Sequence, residues 1–245
     1  MRLVTEFTRS ADSPTILITG SNKGIGLELA RIYAERGCNV IATCRRPGEA
    51  ADLQAIAQQH PAVIIDPLDV TDHGSIDALA TKYQDTPIDL LLNNAGINGN
   101  PRETQNFGEF DYDVFYRVIA VNTVGPIKMA ETFVEHVAKS DQKKIMTVSS
   151  SVGSIQQTIG HMYWYRTSKA AVNMLMRNLS KELEERGIIV GMLNPGPTDT
   201  DLMKDVPITL RDPAVAAADM IRNIDNMTIE TTGSFLEYDG TDFPW

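Results

Sequence analysis

Short apolar, β-branched runs alternate with longer segments of helical period from Thr15 almost to the C-terminus. Thr15-Ile-Leu-Ile-Thr19 carries no polar/apolar alternation, the pattern of a strand buried on both faces. Similar runs recur at 39–43, 63–66, 89–92, 143–148 and 188–193, and a last one at 234–238 reads as an edge strand. Between them, helices are predicted over 27–36, 51–59, 75–82, 112–139, 165–186 and 213–226. Gly37 and Gly187 stand where two of these should stop. Strands too apolar to face water, alternating with helices, imply a parallel sheet covered on both faces. The expectation is one doubly wound α/β domain over 15–245 with about seven parallel strands, after a short frayed leader at 1–14. Within 112–139, Val121-Asn122-Thr123-Val124-Gly125-Pro126 are poor interior helix formers, and the Gly-Pro step predicts a kink. A buried Asn122 at a kink can offer its amide and leave a carbonyl free for water. It can equally do no more than satisfy core backbone groups.

Composition narrows the classes. Hydrophobic residues at 42% and charged residues at 22% are ordinary for a soluble globular chain of 245 residues. A net charge of −10 argues against nucleic acid and against an anionic membrane surface, while leaving room for an anion in a local basic pocket. No run approaches a membrane span. Arg2, Glu6, Arg9 and Asp12 do not suit a signal peptide, so a cytoplasmic location is expected. Cys38 and Cys44 flank one predicted strand, roughly 20 Å apart, too far to bridge. They read as free thiols in a reducing compartment. His60, His73, His136 and His161 show no metal-ligand spacing among themselves or with the cysteines, so no metal is expected.

The candidate chemistry begins with Gly20-Ser21-Asn22-Lys23-Gly24-Ile25-Gly26, set between a strand and a helix. Such glycines let the backbone approach a pyrophosphate at a helix N-terminus. An NAD site would place an acid after the second strand to bind the ribose 2′-hydroxyl. This chain has Arg45 and Arg46 there, with Lys23 in reach, so NADP(H) is favoured over NAD(H) unless these are solvated loop charges. After the third strand, Asp69 can accept from an adenine amino group or cap the next helix, although Thr71 or Asp72 suits a cap better. Asn93-Asn94-Ala95-Gly96 and Asn194-Pro195-Gly196-Pro197-Thr198-Asp199-Thr200 fall at strand C-termini, the ligand side of such a sheet. The 98–110 loop is long enough to border an active site, and 202–210 is a candidate substrate flap. Tyr165 and Lys169 lie four apart and share a helix face, which Tyr163 cannot do with any lysine. An ammonium beside the phenol lowers a pKa that starts at about 10, equipping Tyr165 to exchange a proton near neutrality. Ser149, Ser150 and Ser151 precede them, with Gly153 three residues after Ser150.

In order along the chain, Thr19-Gly20-x-x-x-Gly24-x-Gly26, Asn93-Asn94-Ala95-Gly96, Asn122, Ser150, Tyr165-x-x-x-Lys169 and Pro195-Gly196 resemble the short-chain dehydrogenase/reductase motifs from about Thr15 onward. Tyr163-Trp-Tyr165-Arg-Thr-Ser-Lys169-Ala and the ending Gly233-Ser-Phe-Leu-Glu-Tyr-Asp-Gly240, with Pro244-Trp245, are similar to sniffer-type carbonyl reductases and their C-factor-like bacterial relatives. The resemblance implies a Rossmann domain that reduces an aldehyde or ketone with NADPH. Tyr165 would be the general acid, and Lys169 would lower its pKa and hold the nicotinamide ribose. Ser150 would hold the carbonyl oxygen, with Ser149 and Ser151 as alternatives because the Ser150–Tyr165 gap is two residues longer than is common. Asn122 would hold a water linking Lys169 to solvent. Asn93 would contact a ribose and Asp69 the adenine, while Pro195, Gly196, Thr198 and Thr200 would meet the carboxamide. Val70, Ala95 and Gly96 complete the cofactor-binding set. Two other activities fit: an NADP(H)-binding signalling protein with little turnover, or an alcohol dehydrogenase working oxidatively. A homodimer or homotetramer through 112–139 and 165–186 would follow many relatives.

Overall fold

A computed structural model of the chain describes residues 12–204 and 208–245. The leader therefore lies almost wholly outside the described residues, as do 205–207 of the expected flap. Seven strands form one sheet: β1 (Thr15–Thr19), β2 (Asn39–Cys44), β3 (Val63–Pro67), β4 (Leu90–Asn93), β5 (Lys144–Val148), β6 (Ile189–Leu193) and β7 (Phe235–Leu236). Their order is β3-β2-β1-β4-β5-β6-β7 and every pairing is parallel. The helices are α1 (Gly24–Glu35), α2 (Ala51–Gln59), α3 (His73–Lys82), α4 (Tyr112–Ile119), α5 (Gly125–Ala138), α6 (Tyr163–Leu183) and α7 (Pro213–Asn226).

Both faces of the sheet are covered. Ile16 and Ile18 join one apolar cluster with Leu29, Leu53 and Met220 from α1, α2 and α7. Leu17 joins the other with Leu79, Phe133 and Met176 from α3, α5 and α6. Successive strand residues point to opposite faces, so a strand feeding two cores must be apolar throughout. The sheet runs outward from β1 in both directions, and between β1 and β4 the connections switch sides. The crevice at the strand C-termini there is the expected ligand position.

Two elements differ from the sequence reading. The long helix over 112–139 is broken into α4, a π-helical turn at Ala120–Val124, and α5, with the Gly125 N–H reaching the Ala120 carbonyl. Pro126 has no N–H to offer the Asn122 carbonyl, so the extra residue of a π turn is where the Gly-Pro irregularity is absorbed. The helix bearing Tyr165 starts at Tyr163, after His161 and Met162 take left-handed conformations at φ 58° and 50°. Cys38 and Cys44 are buried free thiols. Among the described residues no helix is long and apolar enough to cross a membrane, and no side-chain cluster could hold a metal ion.

Candidate active site

The glycine turn and the fourth-strand motif interlock. A Cβ on Gly20 (φ +71°) would fall 2.9 Å from Ala95 Cα, and one on Gly26 only 2.2 Å from the Gly20 carbonyl oxygen. Asn94 Nδ2 donates to the Thr19 and Gly20 carbonyls at 3.0 and 3.1 Å, while Thr19 Oγ1 accepts from the Asn94 and Ala95 N–H groups at 3.0 Å each. The turn is thus backbone packed closely against Ala95, Asn94 and Thr200, with no room for a Cβ at Gly20 or Gly26. The α1 N-terminus has no capping side chain and no acid in its first turn, leaving N–H groups for an anion. Ser21 is buried, its hydroxyl donating to the Ile18 carbonyl at 3.0 Å, so its side chain belongs to the turn. Asn22 and Lys23 are exposed and Ile25 is half-buried.

Cations flank this turn unequally. Lys23 Nζ pairs with Asp201 at 2.5 Å, and Lys204 reaches the same carboxyl at 2.6 Å. Hydrogen bonds from Lys204 and Lys23 hold the Asp201 carboxyl down at about 2. Arg46 pairs with Glu49 at 3.2 Å, whereas exposed Arg45 has no ion-pair partner among the described residues. Asp69 accepts from Thr71 N and Oγ1 at 2.9 and 2.7 Å, and Asp72 caps α3. Burial would raise the Asp69 pKa, but the Thr71 hydrogen bonds and the Arg45 charge outweigh it and hold the carboxyl low. Val70 is buried, its side chain 3.1 Å from where a Gly125 Cβ would stand. Asn93 is buried too, with long contacts to the Pro126 carbonyl (3.4 Å) and Thr147 Oγ1 (3.5 Å) and an unpartnered Oδ1. A glycine turn without side chains at its close approaches, an uncapped helix start, and, among the described residues, an arginine with no ion pair and a buried Asn93 Oδ1 with no partner fit a nicotinamide dinucleotide.

Tyr165, Ser150, Lys169 and Asn122 converge across the crevice. The Ser150 hydroxyl accepts from the Val152 N–H at 3.4 Å and faces the Tyr165 phenol, whose pKa it lowers. Lys169 is buried, its Nζ donating to the Val148 carbonyl at 2.8 Å and lying 5.7 Å from the Tyr165 ring centroid. Asn122 clamps Ile97, accepting from its N–H at 2.9 Å and donating to its carbonyl at 2.8 Å; the same amide donates to Ser168 Oγ at 3.0 Å. A Cβ on Gly96 would stand 3.4 Å from Asn122 Oδ1 and 3.8 Å from Lys169 Nζ, so all three border one gap. Of the alternative serines, Ser149 is buried and donates to Asn173 Oδ1 at 2.6 Å, and Ser151 opens a 3-10 turn, Ser151–Gly153.

The electrostatics differ from the expectation. Burial pushes the Tyr165 phenol up, and the Ser150 hydrogen bond pulls back only part of the way. Burial also lowers Lys169, to about 8. The lysine donates to the Val148 carbonyl rather than to the half-buried phenol, and burial is the larger influence on the tyrosine.

Beyond β6, Gly196 (φ +72°) leaves no room for a Cβ, which would meet Tyr238 Cδ1 at 2.9 Å. Arg211 holds this turn, donating to the Pro195 carbonyl at 2.6 Å and stacking 4.0 Å from the Tyr238 ring. Thr198 is buried with its hydroxyl 3.1 Å from the Gly196 carbonyl, and Thr200 Cγ2 lies 3.0 Å from where a Gly24 Cβ would be. Gln105, Asp201 and Arg211 support the site but escaped the sequence reading, which named Thr19 and Asn94 as motif members without a bonding role. Their roles are tertiary, and a polar loop residue carries no periodic signal.

The short chain dehydrogenase family model matches residues 14–210. A 1-hydroxy-2-glutathionyl-2-methyl-3-butene dehydrogenase from Rhodococcus sp. strain AD45 is 38% identical over 240 residues, 94% of this chain and 99% of that protein. The NADPH-bound carbonyl reductase from chicken fatty liver superposes with a TM-score of 0.87 at 30% identity, covering 95% of this chain and 99% of that one. The carbonyl reductase Sniffer of D. melanogaster gives 0.84 at 29%, covering 95% and 100%. Matched along most of its length in sequence and in fold, the chain is an oxidoreductase belonging to the short-chain dehydrogenase/reductase family.

Proposed function

We propose that the protein reduces an aldehyde or ketone to an alcohol with NADPH, Tyr165 giving the proton. The observation that carries this reading is buried Lys169, its Nζ 5.7 Å from the Tyr165 ring and at the gap bordered by Gly96, with Ser150 facing the same phenol. When bound, the nicotinamide supplies the hydride; position and proton come from the chain. A phenol raised by burial is protonated at neutral pH, the state an acid needs at the start of a reduction. Ser150, facing the same phenol, would hold the carbonyl oxygen. Lys169 would hold the nicotinamide ribose, and its charge would favour the phenolate left after proton transfer. Asn122, in the π turn where Pro126 offers no N–H to its carbonyl, would hold a water through which the phenol recovers its proton. Arg45 supports NADP(H) over NAD(H): it has no ion-pair partner among the described residues, and its guanidinium would meet a 2′-phosphate.

The test is steady-state NADPH oxidation with a panel of aldehydes, ketones and diketones. Tyr165→Phe should lower turnover by about 10²–10⁴-fold while NADPH affinity stays within about threefold, as expected when only a transition-state interaction is removed. Retained turnover would overturn the assignment. The oxidative direction is a second reading, favoured by the relative named as a dehydrogenase of a hydroxy compound. NADP⁺ reduction by alcohols that outpaces carbonyl reduction in the same assay would establish it.

A further inference from the structure

We infer that Gln105 is a positioning residue for Tyr165, acting as the N-terminal cap that α6 lacks in its own sequence. This rests on the reading of Tyr165 as the proton donor. The residue before the helix, Met162, is left-handed and supplies no side-chain cap, and the first turn holds no acid. Tyr165 is the third residue of α6, where a capping side chain normally accepts the N–H. Gln105 Oε1 accepts that N–H at 3.0 Å from sixty positions upstream.

The other end of the same amide is fully used. Gln105 Nε2 donates to the Asn98 carbonyl at 2.6 Å and to the Gly99 carbonyl at 2.8 Å, and the residue has no exposed surface. A buried glutamine with both donors and its carbonyl engaged has one rotamer, so it fixes the distance between the 98–105 loop and the Tyr165 backbone. Trp164 Nε1 donates to the Thr104 carbonyl at 3.0 Å, bracing the neighbouring residue. The loop reaches onward: Asn98 Nδ2 and Arg102 Nη2 both donate to the Leu202 carbonyl, at 2.9 and 3.1 Å. Gln105 therefore sits where the segment after β6 and the catalytic helix are joined. No other hydrogen-bonding side chain meets the Tyr165 N–H among the described residues.

Gln105→Met keeps the length and volume but can neither accept nor donate. Gln105→Glu keeps the acceptor, and when protonated it also supplies one donor. Hydrogen exchange should show the amides of 163–166 losing at least tenfold protection in Gln105→Met while the strands keep theirs. With the best carbonyl probe of the panel above, kcat should fall tenfold or more at unchanged NADPH affinity. Gln105→Glu should recover toward the parent as pH is lowered from 8 to 6, a dependence Gln105→Met should not show. Unchanged protection at 163–166, or a kcat that follows only the folded fraction in both variants, would overturn the proposal. If the parent turns over no carbonyl, or Tyr165→Phe keeps turnover, the proton-donor reading fails, while hydrogen exchange still decides whether Gln105 caps the helix.

Discussion

At the scale of single residues, Lys169 shows how burial and charge trade. Its ammonium is nearly inaccessible and its pKa falls to about 8, so it is half-neutral just above physiological pH. Without ligand, the unfolded chain binds more protons than the fold as pH rises from about 8 toward the ordinary lysine value, so the cost of burying this ammonium is relieved across that window. An anionic dinucleotide beside it has the opposite preference and stabilises the charged form. NADPH affinity should therefore be full below about 8 and weaken above it, by up to about tenfold per pH unit. In Lys169→Met that component should be missing. Cofactor fluorescence titrations between pH 7 and 9 check it; a parent affinity flat across that range would show that the ammonium contributes nothing to binding. Ser149 and Ser150 make the complementary point: adjacent hydroxyls, one bonded to Asn173 and the other facing Tyr165, have the same chemistry in sequence.

At the scale of elements, the site depends on how closely backbones approach. The 3-10 turn that follows Ser150 packs onto α6 so tightly that a Cβ on Gly153 would meet Lys169 Cβ at 2.8 Å and its carbonyl carbon at 3.0 Å. Backbone cannot yield as a flexible side chain would. Gly153→Ala should cost about 1–3 kcal/mol, seen as a melting-temperature drop of roughly 2–10 °C for a domain of this size. Turnover should fall with it, because the strain lies between the serine and the lysine. An unchanged melting temperature would mean the turn relaxes freely. The interruption between α4 and α5 follows similar logic. Gly125 and Pro126 make a kink legible in sequence, but its π form depends on hydrogen bonds one residue out of register.

For the whole molecule, the segment after β6 is held on two sides. The Lys23–Asp201 pair joins it to the glycine turn, and the Leu202 carbonyl joins it to Asn98 and Arg102. Both members of the ion pair are largely solvated, with side-chain exposures of 64% and 47%, so its contribution to stability is small. Its effect on an anionic ligand is larger, because Asp201 neutralises Lys23 beside the phosphate cradle. Asp201→Asn should leave the melting temperature within about 2 °C and tighten NADPH binding by about 2- to 5-fold at low salt. The gain should shrink as ionic strength rises. Titrations at two salt concentrations test this, and weaker binding in the variant would show that the pair serves to close the crevice.

The sequence by itself determined the alternation of elements, the parallel sheet and the glycine cradle. These rest on local chemistry: strands apolar on both faces, glycines where a backbone must approach a phosphate, and a tyrosine and lysine one helical turn apart. It also left three candidate serines, with Ser150 preferred, and three cations within reach of the glycine turn. Only tertiary structure shows that Ser149 is bonded to Asn173 and Lys23 to Asp201, because these contacts join residues far apart in the chain. It also reversed the expected direction of the Tyr165 pKa. Spacing reports which charges are neighbours, whereas desolvation depends on everything packed around them.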